Sequence, residues 1–215
     1  EVLAVKLTEI MVEGLIERMP GALGGGATGA VLDKAGRADV LAIGPGLGTS
    51  GSTVEVIREI LQSVEVPVII DADALTALQG PKVLTPHPGE LGRLLDLEAA
   101  EVDARRLELA GKYAAEWDAV LVLKGAPTVI GCPDGNVYIN TTGNSAMATG
   151  GSGDVLTGII AGLAAQGISV QEAALAGVYM HGLAGDLASK GIIGMAAGEI
   201  SQYLPQARRI IEQGE

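Results

Sequence analysis

The sequence predicts an α/β protein: a doubly wound, mostly parallel sheet with helices on both faces, three layers in all. Three observations carry that expectation. Short β-branched runs alternate with helical patterns up to about residue 123, the order that produces a parallel sheet covered on both sides. The 215 residues are 48% hydrophobic and 19% charged with only 2% aromatic, so the core is built from Ala, Val, Leu and Ile, and 32 glycines allow close backbone approach. From Asp154 onward only Ala- and Gly-rich helical patterns remain, suited to tight packing.

Taken in order, the chain opens Glu1-Val2-Leu3-Ala4-Val5 as though inside a strand and without an initiator Met. It reads as one domain over 1–215, incomplete at its N-terminus. Residues 21–30, with five glycines, read as a flexible loop. Val40–Ile43 predicts a strand, Thr53–Val64 a helix, Val66–Ile70 a strand and Ala74–Leu78 a short helix. Val83–Thr85 is the next strand, followed by helical patterns over Glu90–Leu95 and Val102–Trp117, the latter with Leu107, Ala110, Ala114 and Trp117 on one face. Val120–Leu123 is a strand, and Thr128–Gly131 with Val137–Asn140 form an antiparallel pair through the Asp134-Gly135 turn. Helices follow over about 154–165, 170–189 and 198–213.

Charge and composition exclude several functions. The net charge of −12 repels polyphosphate backbones, and the scarcity of aromatics removes a base-stacking surface, so nucleic acid is not an expected partner. One cysteine and two histidines are too few for a usual zinc site, and Cys132 has no intramolecular partner, which fits a reducing, cytoplasmic setting. No apolar stretch approaches membrane-spanning length.

Two glycine loops compete for the chemistry. Gly44-Pro45-Gly46-Leu47-Gly48-Thr49-Ser50-Gly51 contains G-x-G-x-x-G after a strand, with Asp71 ending the next one, which reads as a dinucleotide fingerprint. Glycine abundance makes a chance match easy, and Pro45 sits where that turn needs a free backbone. The second loop runs Gly143 to Asp154 from a strand into a helix. Its glycines let N–H groups converge at a helix N-terminus, where a transferring phosphoryl group is stabilised and Asp154 is kept ionised to accept a hydroxyl proton. No Gly-Lys-Ser or Gly-Lys-Thr occurs, so Walker-type ATPases are set aside.

Gly151-Ser152-Gly153-Asp154 resembles the G-x-G-D anion-hole motif of the ribokinase-like superfamily. With Ala42–Gly48, Ile70–Leu75, Leu84–Glu90, Lys124–Thr128 and Thr142–Asn144 in that order, the chain resembles the ADP/ATP-dependent NAD(P)H-hydrate dehydratases over about residues 1–213. The family has a further N-terminal stretch, and many members carry an epimerase domain. The tail departs modestly, reading Ala197-Gly198-Glu199 where many relatives have Ala-Ser-Asp.

The resemblance implies repair of hydrated NADH or NADPH: a nucleotide, ADP or ATP, phosphorylates the hydrate hydroxyl, and phosphate then leaves. It assigns Asp154 as the base and Gly151, Ser152 and Gly153 as the anion hole. Lys124, Gly125, Ala126, Pro127, Thr128, Asn144, Ser145, Ala146, Met147, Ala148, Thr149 and Gly150 match the nucleotide-binding blocks. Gly46, Gly48 and His87, with Asp154, are the substrate contacts it implies. Glu90, three residues after His87, and Asp73 are the candidate Mg²⁺ residues, Glu90 acting through water. A homo-oligomer, a tetramer as in relatives, is expected. His181 lies among small residues and reads as a packing residue. A ribokinase-like vitamin kinase, whose motif has Asn where His87 stands, and a non-catalytic nucleotide-binding module are the alternatives.

Overall fold

The computed structural model describes residues 7, 9–77, 82–190 and 194–214. The strand expected at Glu1–Val5 and the end of the expected helix at Leu78 lie outside them.

Six strands form the central sheet in chain order: β3 (Leu41–Ile43), β4 (Val68–Ile70), β5 (Val83–Leu84), β6 (Val120–Leu123), β7 (Val129–Gly131) and β8 (Val137–Ile139). The pairings from β3 to β6 are parallel, and β7 and β8 close the sheet antiparallel, with Val129 opposite Ile139 and Gly131 opposite Val137. The turn between β7 and β8 is held by Asp134, whose Oδ1 accepts from Asn136 N–H at 2.9 Å.

Because successive strand residues face opposite sides, the sheet builds two cores. Val68, Ile70, Leu121 and Leu123 face one layer, made of α1 (Ala27–Ala35), α2 (Gly51–Ser63), α3 (Pro88–Leu95), α4 (Ala99–Ala104) and α5 (Arg106–Glu116). Ile69, Val120, Val122 and Ile130 face the other, against α6 (Ser152–Ala164) and α7 (Val170–Ala188). A third cluster, including Ala184, Leu187, Ile200 and Ala207, packs α8 (Ala197–Gln213) on α7. This is the three-layer arrangement expected from the alternation of patterns.

Residues 21–30 are not a flexible loop. They hold β2 (Ala22–Leu23), paired antiparallel with β1 (Glu17–Met19), and the first residues of α1. The segment is fastened to the core by Leu23 N–H donating to the buried Thr53 hydroxyl at 3.1 Å, a long-range bond that glycine content conceals. The helix expected over 102–117 is two helices that meet at Arg105, whose backbone is not helical (φ −118°, ψ 25°). Leu109 therefore takes the core position and Leu107 is left exposed. The short helix after β4 is a 3₁₀ segment, Ala72–Ala77.

Candidate functional site

The carboxyl ends of β3, β4, β5 and β6 converge on the N-terminus of α6, the place where an open α/β sheet binds ligands. Asp71 follows β4, Thr85 to Glu90 follow β5, and Lys124 follows β6. Asp71 is only 1% exposed. Its Oδ1 accepts from Lys124 Nζ at 2.7 Å and its Oδ2 from the Thr157 hydroxyl of α6 at 2.9 Å. Burial by itself pushes the Asp71 carboxyl up. The attraction and hydrogen bond of Lys124, with the hydroxyls of Thr85 and Thr157, outweigh it and hold the carboxyl below its ordinary value. The acid that the dinucleotide fingerprint offers to a ribose is thus consumed inside the protein.

Lys124 Nζ also stands 3.7 Å from Glu90 Oε2, and a Cβ built on Gly153 would lie 3.2 Å from that ammonium. Gly153 is therefore the residue that lets a cation stand against the first turn of α6. The N–H groups of that turn have no acceptor within their helix. Of the three assigned to an anion hole, Ser152 N–H is turned back to the Thr149 carbonyl at 3.3 Å, which leaves Gly153 as the central donor of the helix end. Asp154 sits in the same first turn and is exposed.

A cavity of about 520 Å³ opens beside this helix end, the size of a nucleotide-class ligand site. Lys124, Gly125, Ala126, Pro127, Thr128, Asn144, Ser145, Met147, Ala148, Ser152 and Gly153 line it, so the two expected nucleotide blocks do meet across one space. Ala146 and Thr149 line an adjoining recess instead, and Gly150 and Gly151 line neither. Asp154 is one residue beyond the lining.

Two side chains that the sequence did not mark, Arg106 and Asp186, hold these walls. Arg106 donates through Nη1 to the Pro127 carbonyl at 2.9 Å and through Nη2 to the Lys124 carbonyl at 2.9 Å, fixing the turn after β6 from behind. Asp186 of α7 accepts from Gly143 N–H at 2.8 Å and from Asn144 Nδ2 at 2.7 Å. Asn144 Oδ1 caps the next turn through Ala146 N–H, so its side chain is spent on shaping the loop. His181, read as packing, instead lines the cavity, with Nε2 3.4 Å from the Ser152 hydroxyl. Its nearness to Ser152 is a long-range fact of α7 against α6 and leaves no local sequence signal.

Burial lowers the His181 pKa to about 4, outweighing a hydrogen bond to the Ser152 backbone that raises it. Between pH 6.5 and 4 the unfolded chain binds a proton there that the folded chain refuses, so stability falls as pH drops through that window. The thermal midpoint is expected to decline across it, and His181→Gln to flatten the decline. A parallel decline in both proteins would remove His181 as its source.

His87 caps α3. Its Nδ1 accepts from Gly89 and Glu90 N–H, and Glu90 Oε2 accepts from His87 N–H at 2.7 Å. Nδ1 is therefore an acceptor, and Nε2 of the half-exposed ring stands 3.4 Å from Glu90 Oε1. Asp73 Oδ2 accepts from Gly48 N–H at 2.8 Å, which ties the first glycine loop to the segment after β4. Gly46 and Gly48 are thereby held near that segment. Among the described residues no three His, Cys, Asp or Glu side chains gather to hold a cation by themselves. A Mg²⁺ ion that keeps its waters and rests mainly on nucleotide phosphates requires only one or two carboxylates. Glu90, 11% exposed and facing Lys124, fits that smaller demand. No described helix is long and apolar enough to cross a membrane.

The profile of one protein family, described as NAD(P)H-hydrate dehydratase, matches residues 1–206. A bifunctional NAD(P)H-hydrate repair enzyme from Moorella thermoacetica is 53% identical over 99% of this chain and 42% of its own length, so the chain spans less than half of that relative. An ADP-dependent (S)-NAD(P)H-hydrate dehydratase from Bacillus subtilis is 39% identical over 86% of this chain and 69% of the relative. The crystal structure of an ADP/ATP-dependent NAD(P)H-hydrate dehydratase from Bacillus subtilis, co-crystallized with ATP/Mg²⁺, superposes with a TM-score of 0.75 at 38% identity. It covers 82% of this chain and 68% of that one.

Proposed function

The chain belongs to the NAD(P)H-hydrate dehydratase family, and from that premise we propose that it dehydrates the S form of hydrated NADH or NADPH with ADP or ATP as phosphoryl donor. The observation that carries this reading is the meeting of Lys124 to Thr128 with the N-terminus of α6 across one cavity, with Asp154 in the first turn. Such a site holds a nucleotide and meets the charge of a transferring phosphoryl group with N–H dipoles and one ammonium.

Hydroxide is a poor leaving group, and phosphorylation removes that obstacle. Asp154 accepts the proton of the hydrate hydroxyl while its oxygen bonds to the terminal phosphorus and the bond to the bridging oxygen of ADP or ATP breaks. AMP or ADP is released accordingly. The ring nitrogen then donates its electron pair, the carbon–oxygen bond breaks with loss of phosphate, and a proton leaves the neighbouring carbon to restore the dihydropyridine. Gly153 N–H, preceded by Gly151 and Ser152, faces the phosphoryl oxygens. His87 and the Gly46 and Gly48 backbone are the substrate contacts. Mg²⁺, when bound, supplies counter-charge to the nucleotide phosphates, and Glu90 would hold it through water, with Asp73 the more distant candidate. The nucleotide base and sugar occupy the space framed by Gly125 to Thr128 and by Asn144, Ser145, Met147 and Ala148, with Ala146, Thr149 and Gly150 behind them in the same block. A homotetramer in the cytoplasm, joined to an epimerase unit, completes the proposal; light scattering that shows a monomer at micromolar concentration would count against the tetramer.

The test is to incubate the full chain with hydrated NADH, Mg²⁺ and either ADP or ATP, following the near-ultraviolet absorbance of reduced nicotinamide and the release of phosphate. Recovery with one nucleotide identifies the donor. Nucleotide binding without recovery would return the reading to a vitamin kinase or a silent binding module.

Arg106→Gln carries a separate expectation. Without the guanidinium the turn carbonyls of Lys124 and Pro127 lose their common donor, and KM for the nucleotide is expected to rise about ten-fold with kcat little changed. Steady-state kinetics at fixed hydrate would show it; an equal fall in kcat would mean that the turn positions the reacting atoms as well.

A further inference from the structure

We propose that Asp71 is a positioning residue for phosphoryl transfer: its buried carboxylate, bolted to α6 through Thr157, fixes the Lys124 ammonium at the point where the transferred group is met. The inference rests on the dehydratase reading and adds a residue that this reading leaves idle.

The geometry is a two-pronged clamp. One carboxylate oxygen of Asp71 holds Lys124 Nζ at 2.7 Å and the other holds the Thr157 hydroxyl at 2.9 Å. Thr157 lies one helical turn after Gly153 and is buried, so the carboxylate is fastened to the same helix whose first N–H groups face the cavity. The Asp71 backbone is fixed as well, its N–H donating to the Ile43 carbonyl at 3.1 Å and its carbonyl accepting from Ala74 N–H at 3.2 Å. Lys124 and the helix end thus share one reference point.

The need for such a clamp follows from the side chain it holds. A lysine ammonium rides on a flexible four-carbon stem and is strongly hydrated. Left alone it would have to be ordered at the moment of reaction. Held beforehand, it acts as a preorganised charge that requires no rearrangement as negative charge develops. Glu90, the other acid near Lys124, stands at 3.7 Å and is already engaged by the His87 N–H, so it cannot replace Asp71 as the anchor. Both Asp71 oxygens are occupied and the side chain is shut off from solvent, so it acts through Lys124 and does not touch the ligand.

The test compares Asp71→Asn, Thr157→Val and Thr157→Ser in the full chain, reading kcat, nucleotide KM, thermal midpoint and calorimetric affinities for ADP and for AMP. Asp71→Asn is expected to lower kcat about 100-fold. Thr157→Val, which removes only one prong, should lower it about ten-fold, and Thr157→Ser, which keeps the hydroxyl, should return it to within about two-fold. In both weakened variants ADP affinity should fall while AMP affinity holds, because a displaced ammonium is missed only by the terminal phosphate. Equal weakening of ADP and AMP, or Thr157→Ser behaving like Thr157→Val, overturns the proposal. If Asp71→Asn does not fold, the two Thr157 variants decide alone. Should the unchanged chain bind ADP without dehydrating the hydrate, the dehydratase reading falls while the ADP-to-AMP comparison still judges the clamp; absence of ADP binding in the unchanged chain overturns both.

Discussion

Asp154→Asn is expected to lower the rate of hydrate dehydration about 1,000-fold while leaving ADP affinity within about three-fold of its original value. The amide is nearly isosteric and keeps a polar group in the first turn of α6, so neither the helix nor the cavity wall beside it is altered. It removes the one property the step requires, a lone pair basic enough to take the hydroxyl proton. Asp154 is exposed at the helix end, in the first turn of α6, where the substrate hydroxyl can reach it. Recovery of reduced nicotinamide in a single-turnover assay, set beside ADP titration calorimetry, separates the two quantities. A variant that turns over normally removes Asp154 from the mechanism, and one that loses ADP affinity in proportion to rate makes it a binding residue.

The second large effect is structural. Gly44, directly after β3, has φ +137°, a region side-chain-bearing residues rarely adopt, and a Cβ there would fall on the Asp71 carbonyl with Ala74 Cβ 3.2 Å away. Neither neighbour can yield, since the Asp71 carbonyl already holds Ala74 N–H and its own N–H is tied to Ile43. Gly44→Ala is therefore expected to cost about 3 kcal/mol of stability. For a chain of this size that is a fall in thermal midpoint of roughly 6 to 12 °C. Scanning calorimetry of the two proteins measures it; a shift under about 2 °C would show that the loop and the β4 end relax together.

What the sequence made legible was set by local patterning. Runs such as Val68-Ile69-Ile70 and Val120 to Leu123 announce strands because every residue in them is apolar, and the sheet uses both faces of each. The helix expected from about 170 begins there, and the structure closes its start with a reciprocal cap between Ser169 and Glu172. The glycine-rich stretch at 21–30 failed because its order comes from Thr53, thirty residues away from Leu23. The single helix expected over 102–117 failed because the break at Arg105 serves the placement of Arg106, whose partners lie on the turn after β6. In the site, the nucleotide blocks were visible as motifs, whereas Asp71 with Thr157, and His181 with Ser152, are joined across 86 and 29 positions of chain. Pairs so separated have no spacing to read. Glu199, by contrast, answers for itself: its carboxylate accepts from Ala196 N–H at 2.7 Å and opens α8, a task an aspartate-for-glutamate change of length would alter.

The Asp186 carboxylate, which grips both Gly143 and Asn144 from α7, has a consequence for how this protein can change over generations. Asp186 sits between Gly185, which faces Met147 of the cavity wall, and Leu187, which belongs to the apolar seam with α8. The floor of the cavity and the seating of the last helix are thus inherited as one trait. A change that reshapes residues 143 to 147 therefore acts on the α7–α8 seam as well, through one carboxylate and its two neighbours in α7.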